Sequence, residues 1–133
     1  MGLGILAGDI CWIHGPFPCG AYPDINFFRT ALKYHLDEGE RVQADRGYAG
    51  DERVKAPGPL YTEDAYLKMS KKIASRHETV NKRLKMFQCL VHRFRHDVLK
   101  QAICFRAVAV ITQLGIENGE PLFQVKYDDR DCV

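Results

Sequence analysis

Polar and apolar positions along this 133-residue chain alternate first with the period of a strand and then with that of a helix. Gly8-Asp9-Ile10-Cys11-Trp12-Ile13 reads as a short strand, ended by the turn-rich His14-Gly15-Pro16-Phe17-Pro18-Cys19-Gly20. Asp24, just after Pro23, is the expected N-cap of a helix whose Ile25, Phe28, Leu32 and Leu36 share one face and which Gly39 stops. Residues 41–45 read as a second short strand closed by Gly47 and Gly50, and 51–60, with Pro57, Gly58 and Pro59, as a loop. A long helix is predicted from Thr62, with Met69, Ile73, His77, Val80, Leu84 and Phe87 as its buried stripe. A third helix is predicted over about 97–117; its middle, 102–114, is apolar nearly all round, so it is expected to be covered on several sides. Asn118-Gly119-Glu120-Pro121 ends it, 122–127 reads as a short last strand, and 1–7 as the tail of another.

The order of elements is an α/β pattern with very few strands. Two or three short strands do not make the usual central sheet of such a domain, so the chain is expected to hold part of one. Hydrophobic residues make up 46% and charged residues 27%, which argues against disorder, collagen and coiled coil. The longest mostly apolar run, Ala107–Leu114, is broken by Thr112 and Gln113, so no membrane span is expected. Residues 1–10 lack a basic start and carry Asp9, so no signal peptide is expected either. Five cysteines without a Cys-x-x-Cys pair, two of them (Cys89 and Cys104) inside helical patterns, suggest reduced thiols in an intracellular protein.

Charge changes the picture more. The formal net charge of +2 hides a block from Lys68 to Arg106 with 11 basic residues and two acids, Glu78 and Asp97, a balance of +9; the other residues carry −7. Such a block points to polyanion binding or an interaction surface, and equally describes a solvated helical face.

Two acids stand out. Asp45 ends a predicted strand, where α/β sheets present ligand groups, and Glu78 lies on the long helix among lysines. Carboxylates on neighbouring elements suit Mg²⁺, and two such ions would activate a nucleophile and stabilise a leaving oxygen in phosphodiester cleavage. The plainer readings are a turn-forming Asp45 and an i, i+4 pair of Glu78 with Lys82. At 100° per residue Glu78 lies about 140° from the apolar stripe, beside Lys71, Lys82 and Lys85. His14, His77, His92 and His96 make no zinc pattern with a Cys pair, and His77 falls on the apolar stripe. Arg93, Arg95 and His96 suit phosphate contact, and equally capping or pairing with Asp97.

The runs Gly8–Gly20 followed by Asp24-Ile25, Ala44-Asp45-Arg46-Gly47-Tyr48, Arg76-His77-Glu78-Thr79-Val80-Asn81-Lys82-Arg83-Leu84-Lys85 and Arg93-Phe94-Arg95-His96-Asp97 together resemble a Harbinger-like DDE superfamily endonuclease domain, a transposase-derived nuclease. The resemblance covers roughly residues 5–127, and its most specific part is Asp-x-Gly-Tyr followed 33 positions later by Arg-x-Glu-Thr-Val-Asn. It implies an RNase H-like α/β fold, Asp45 and Glu78 as the second and last catalytic, metal-binding carboxylates, Mg²⁺ or Mn²⁺ as cofactor, DNA as partner and a nuclear setting. It further implies a first aspartate on a strand upstream of Gly8–Ile13. The chain is therefore expected to be one partial domain over 1–133, incomplete at its N-terminus, with a flexible tail at 128–133 and little or no activity alone. Lys71, Arg76, Lys82 and Lys85 are the expected DNA contacts, with an oligomer or a second transposon-encoded protein as possible company and no small-molecule substrate. The rival expectation is a non-catalytic DNA-binding or interaction module descended from such an enzyme.

Overall fold

A computed structural model describes residues 1–5, 7–15, 23–59 and 61–125. The strands are β1 (Gly2–Leu3), β2 (Ile10–Trp12), β3 (Val42–Gln43) and β4 (Val54–Lys55); the helices are α1 (Asp24–Thr30), α2 (Asp64–Lys85), α3 (Gln88–Val91) and α4 (Val98–Glu117). Where one domain is expected, the chain divides into two compact units, Met1–Pro16 with Ser75–Lys126, and one built on Phe17–Ala74. Among the described residues there are two separate two-stranded sheets, β1–β2 and β3–β4. The turn expected at 16–20 and the tail expected at 128–133 lie outside the described residues.

In the first unit β1 and β2 run antiparallel, Gly2 opposite Trp12 and Leu3 opposite Ile10, with an irregularity between Gly2 and Leu3. The turn between them closes on Gly4, whose N–H donates to Asp9 O at 2.7 Å, and whose carbonyl accepts from Gly8 N at 3.0 Å. Gly8 takes φ +85°, a conformation that residues with a Cβ adopt at a cost. Gln113 of α4 binds this ribbon: its Oε1 accepts from Ile10 N at 2.7 Å and its Nε2 donates to Asp9 Oδ1 at 3.0 Å. Val80 and Leu84 of α2, Val108, Ala109 and Ile116 of α4, and Leu122 form the core, with Leu3, Ile10 and Phe105 against it. Each buried aliphatic side chain of this kind contributes about 1.5–3 kcal/mol.

The third helix begins as the sequence predicts, Asp97 Oδ1 accepting from Leu99 N at 2.9 Å as its N-cap. Its surroundings differ from the expectation. Val98, Leu99, Ile103, Val110, Ile111 and Leu114 are exposed, so α4 is covered along one stripe rather than on several sides. The apolar run is also longer than Ala107–Leu114 suggests: Val98–Glu117 is long and apolar enough, by length and composition, to cross a membrane. The expectation that no such segment exists is therefore corrected. Residues 122–125 are irregular, where a last strand is expected.

In the second unit α1 starts one residue earlier than expected, with Pro23 rather than Asp24 at the N-cap. It stops at Thr30, where Ala31 (φ −134°, ψ −72°) leaves helical geometry, and continues as a 3₁₀ turn over Leu32–His35. The predicted face survives this break, since Ile25, Leu32 and Leu36 all pack with buried Phe28, Val54 and Ala56. The loop expected at 51–60 hides β4, which pairs parallel with β3, Val42 opposite Val54 and Gln43 opposite Lys55. Asp51 anchors this unit, its Oδ2 2.8 Å from Lys33 Nζ and 3.8 Å from Arg29 Nε, and its Oδ1 accepting from Arg53 N at 3.1 Å. In the first part of α2, Gln43 Nε2 donates to Tyr66 Oη at 2.7 Å and to Ser70 Oγ at 3.3 Å.

Candidate nucleic-acid interface

Asp45 stands just beyond β3 and is exposed. Its Oδ1 accepts from Gly47 N at 2.9 Å and caps the 3₁₀ turn Arg46–Tyr48, the turn-forming role that an Asp followed by Gly commonly takes. A second carboxylate approaches the same glycine. A Cβ at position 47 would lie 2.6 Å from Asp24 Oδ2 and 3.2 Å from Asp45 Oδ1, so only glycine lets both carboxylates close on this point of the backbone. Both charges are felt at Tyr48, whose phenol is pushed above its ordinary value first by burial and then by Asp24 and Asp45. Sequence reasoning read Asp24 only as a helix cap. Its neighbour Asp45 is 21 positions away, and no local pattern signals such a pairing.

Glu78 belongs to the other unit. It is exposed on the second part of α2, as are Lys82 and Lys85. The i, i+4 pair with Lys82 does not form: among the described residues the ion pairs are those of Asp51 with Arg29 and Lys33. Lys71 is exposed as well, on the first part of α2. The solvent side of Ser75–Lys85 thus carries lysine charge with one acid among it, a surface suited to phosphate oxygens.

Arg76 is different and is corrected here. It is 1% exposed, and its Nη2 donates to Gly4 O at 3.2 Å and to Ile5 O, inside the first unit. A guanidinium spent on backbone carbonyls in the interior does not face phosphate. The signal was present in the spacing. Arg76 follows Met69 by seven residues and precedes Val80 by four, which puts it on the buried stripe rather than the lysine face. His77 behaves as a packed histidine, half-buried with Nε2 3.2 Å from Met1 O.

Metal binding finds less support. Among the described residues no group of three or more His, Cys, Asp or Glu side chains could hold an ion. Within its unit Asp45 has one carboxylate neighbour, Asp24, and is already hydrogen-bonded to the turn. The donor sets do not fit a two-ion centre, which needs several oxygen ligands on each ion.

No family model, curated protein or solved structure matches the chain. Its function is therefore argued from the residues themselves.

Proposed function

We propose that this chain binds DNA through its phosphodiester backbone, as a module related to DDE-type nucleases. Lys82 and Lys85 are the principal contacts, and Arg76 supports the part of the helix that carries them. What supports the reading is one feature: the lysines of the exposed side of α2 have no acidic partner among the described residues, although Glu78 is within helical reach of Lys82. Charges left unpaired on a helix attract a polyanion at long range and release its counterions on contact. Such contacts fix position and carry no sequence information, so binding is expected to be indifferent to sequence.

The nuclease reading, with Asp45 and Glu78 holding Mg²⁺ or Mn²⁺, rests on the likeness of the motifs, and binding does not require it. Two experiments separate the readings. Lys82→Ala/Lys85→Ala weakens binding to any labelled duplex in fluorescence anisotropy if the lysine face is the interface; unchanged affinity removes the proposal. Plasmid nicking in Mg²⁺ or Mn²⁺ that disappears in both Asp45→Ala and Glu78→Ala would establish the nuclease. Binding without nicking leaves the module.

A further inference from the structure

An open cavity of about 260 Å³ lies in the first unit, in the segment joining α3 to α4. Its lining includes His92, Arg93, Phe94, Arg95 and His96, so two arginines and two histidines share it with one phenyl ring. The segment has no regular structure, and the His92 and Asp97 that bound it have extended or open backbone angles. None of the Arg93, Arg95, His92 or His96 side chains makes an ion pair or hydrogen bond among the described residues. The nearest acid in sequence, Asp97, is occupied in capping α4. Phe94 is half-buried and meets His96 edge-on, ring centroids 5.5 Å apart, which fixes the two rings against each other.

Two unpaired guanidiniums beside a held aromatic ring make a recognisable kind of surface. Guanidinium forks match phosphate oxygens, and an aromatic face stacks on any base. A duplex keeps its bases stacked inside, so a ring of this kind gains nothing from it. A single strand offers phosphate and base together. The cavity is smaller than the usual 300–1,000 Å³ of a drug-sized ligand site, and suits one nucleotide of a longer strand.

We infer that the segment from His92 to His96 binds single-stranded nucleic acid, Phe94 stacking on a base while Arg93 and Arg95 contact the flanking phosphates. This deepens the reading of the chain as a DNA binder and uses residues separate from the lysine face of α2.

The test uses the full chain and two labelled probes, a twelve-residue oligo(dT) strand and a twelve-base-pair duplex, followed by fluorescence anisotropy over a salt series. Phe94→Ala is expected to weaken oligo(dT) binding about tenfold, within the range of one base–aromatic stack, and to leave the duplex unchanged. Phe94→Trp keeps a stacking face and is expected to retain the affinity. Arg93→Ala/Arg95→Ala, two exposed positions, should flatten the slope of log K against log salt by about 1.4 for the single strand, the value for two phosphate contacts. The inference is overturned if the arginine variant keeps both affinity and slope, or if Phe94→Trp binds as weakly as Phe94→Ala. Duplex binding lost only in Lys82→Ala/Lys85→Ala, with oligo(dT) untouched by the arginine and Phe94 variants, overturns this inference while sparing the first. Failure of the unaltered chain to bind either probe removes both.

Discussion

At Gly8 the added methyl of an alanine would come 2.9 Å from Leu122 Cδ1 and 3.2 Å from Arg76 Cδ, at a backbone φ of +85°. Both the crowding and the left-handed conformation oppose it, so Gly8→Ala is expected to destabilise the first unit by about 2 kcal/mol in urea unfolding. Arg76 shares that spot. Arg76→Ala leaves the Ile5 carbonyl without its donor, takes one of two donors from the Gly4 carbonyl and opens a cavity; a loss of about 2–4 kcal/mol follows, with DNA affinity of the folded molecules unchanged. An affinity loss without a stability loss would return Arg76 to the interface. Asp51 carries a pH-dependent contribution. The hydrogen bond from Lys33 is the main influence holding its carboxyl below the ordinary value, helped by Arg53 N–H and the charges of Lys33 and Arg29 against the opposing effect of burial. With the folded value depressed, the stabilisation is complete above the unfolded value near 3.9 and is lost as pH falls through the folded one. Wild type should therefore melt above Asp51→Asn at pH 6 and converge towards it as the pH falls below 4; a gap that widens in acid would contradict the pairing.

Helices were legible because their apolar spacing survives in the folded chain. Val80 and Leu84 of the predicted stripe are buried, and α4 begins and ends within a residue of the bounds predicted for the third helix. Strands were legible in part: β1, β2 and β3 fall within the segments that read as strands. β4 is not legible, because a two-residue ladder carries too few positions for alternation to register, and 122–125 is irregular where a strand is expected. Pro57, Gly58 and Pro59 dominated the reading of 51–60, although Val54, Lys55 and Ala56 just before them are all buried. On α4 the composition misled: an apolar helix reads as enclosed whether or not anything covers it. The burial gives a direct contrast. Ile116→Ala, inside the core, should cost about 2–5 kcal/mol, whereas Ile103→Ser, at a position 65% exposed, should stay within about 0.5 kcal/mol in the same urea titration. A large loss at Ile103 would mean that this face is covered in solution.

Across the whole chain the +9 block from Lys68 to Arg106 separates into parts with different work. Arg76 serves the interior, Arg83 reaches Glu120 O, Lys82 and Lys85 remain on the solvent side of α2, and Arg93 and Arg95 line the cavity before α4. Net charge and block charge were readable from composition; this division was not, since it depends on which side chains find carbonyl partners far away in sequence. The candidate carboxylates were likewise readable as residues, and the Asp24 that faces Asp45 across Gly47 was not. The central claim is that exposed lysines of α2 neutralise DNA phosphates, and the salt dependence of duplex binding tests it most directly. Each phosphate contact adds about 0.9 to the downward slope of log K against log salt on B-DNA. The account predicts a slope for Lys82→Ala/Lys85→Ala shallower than wild type by about 1.8, with thermal stability preserved. Parallel lines for the two proteins would contradict it.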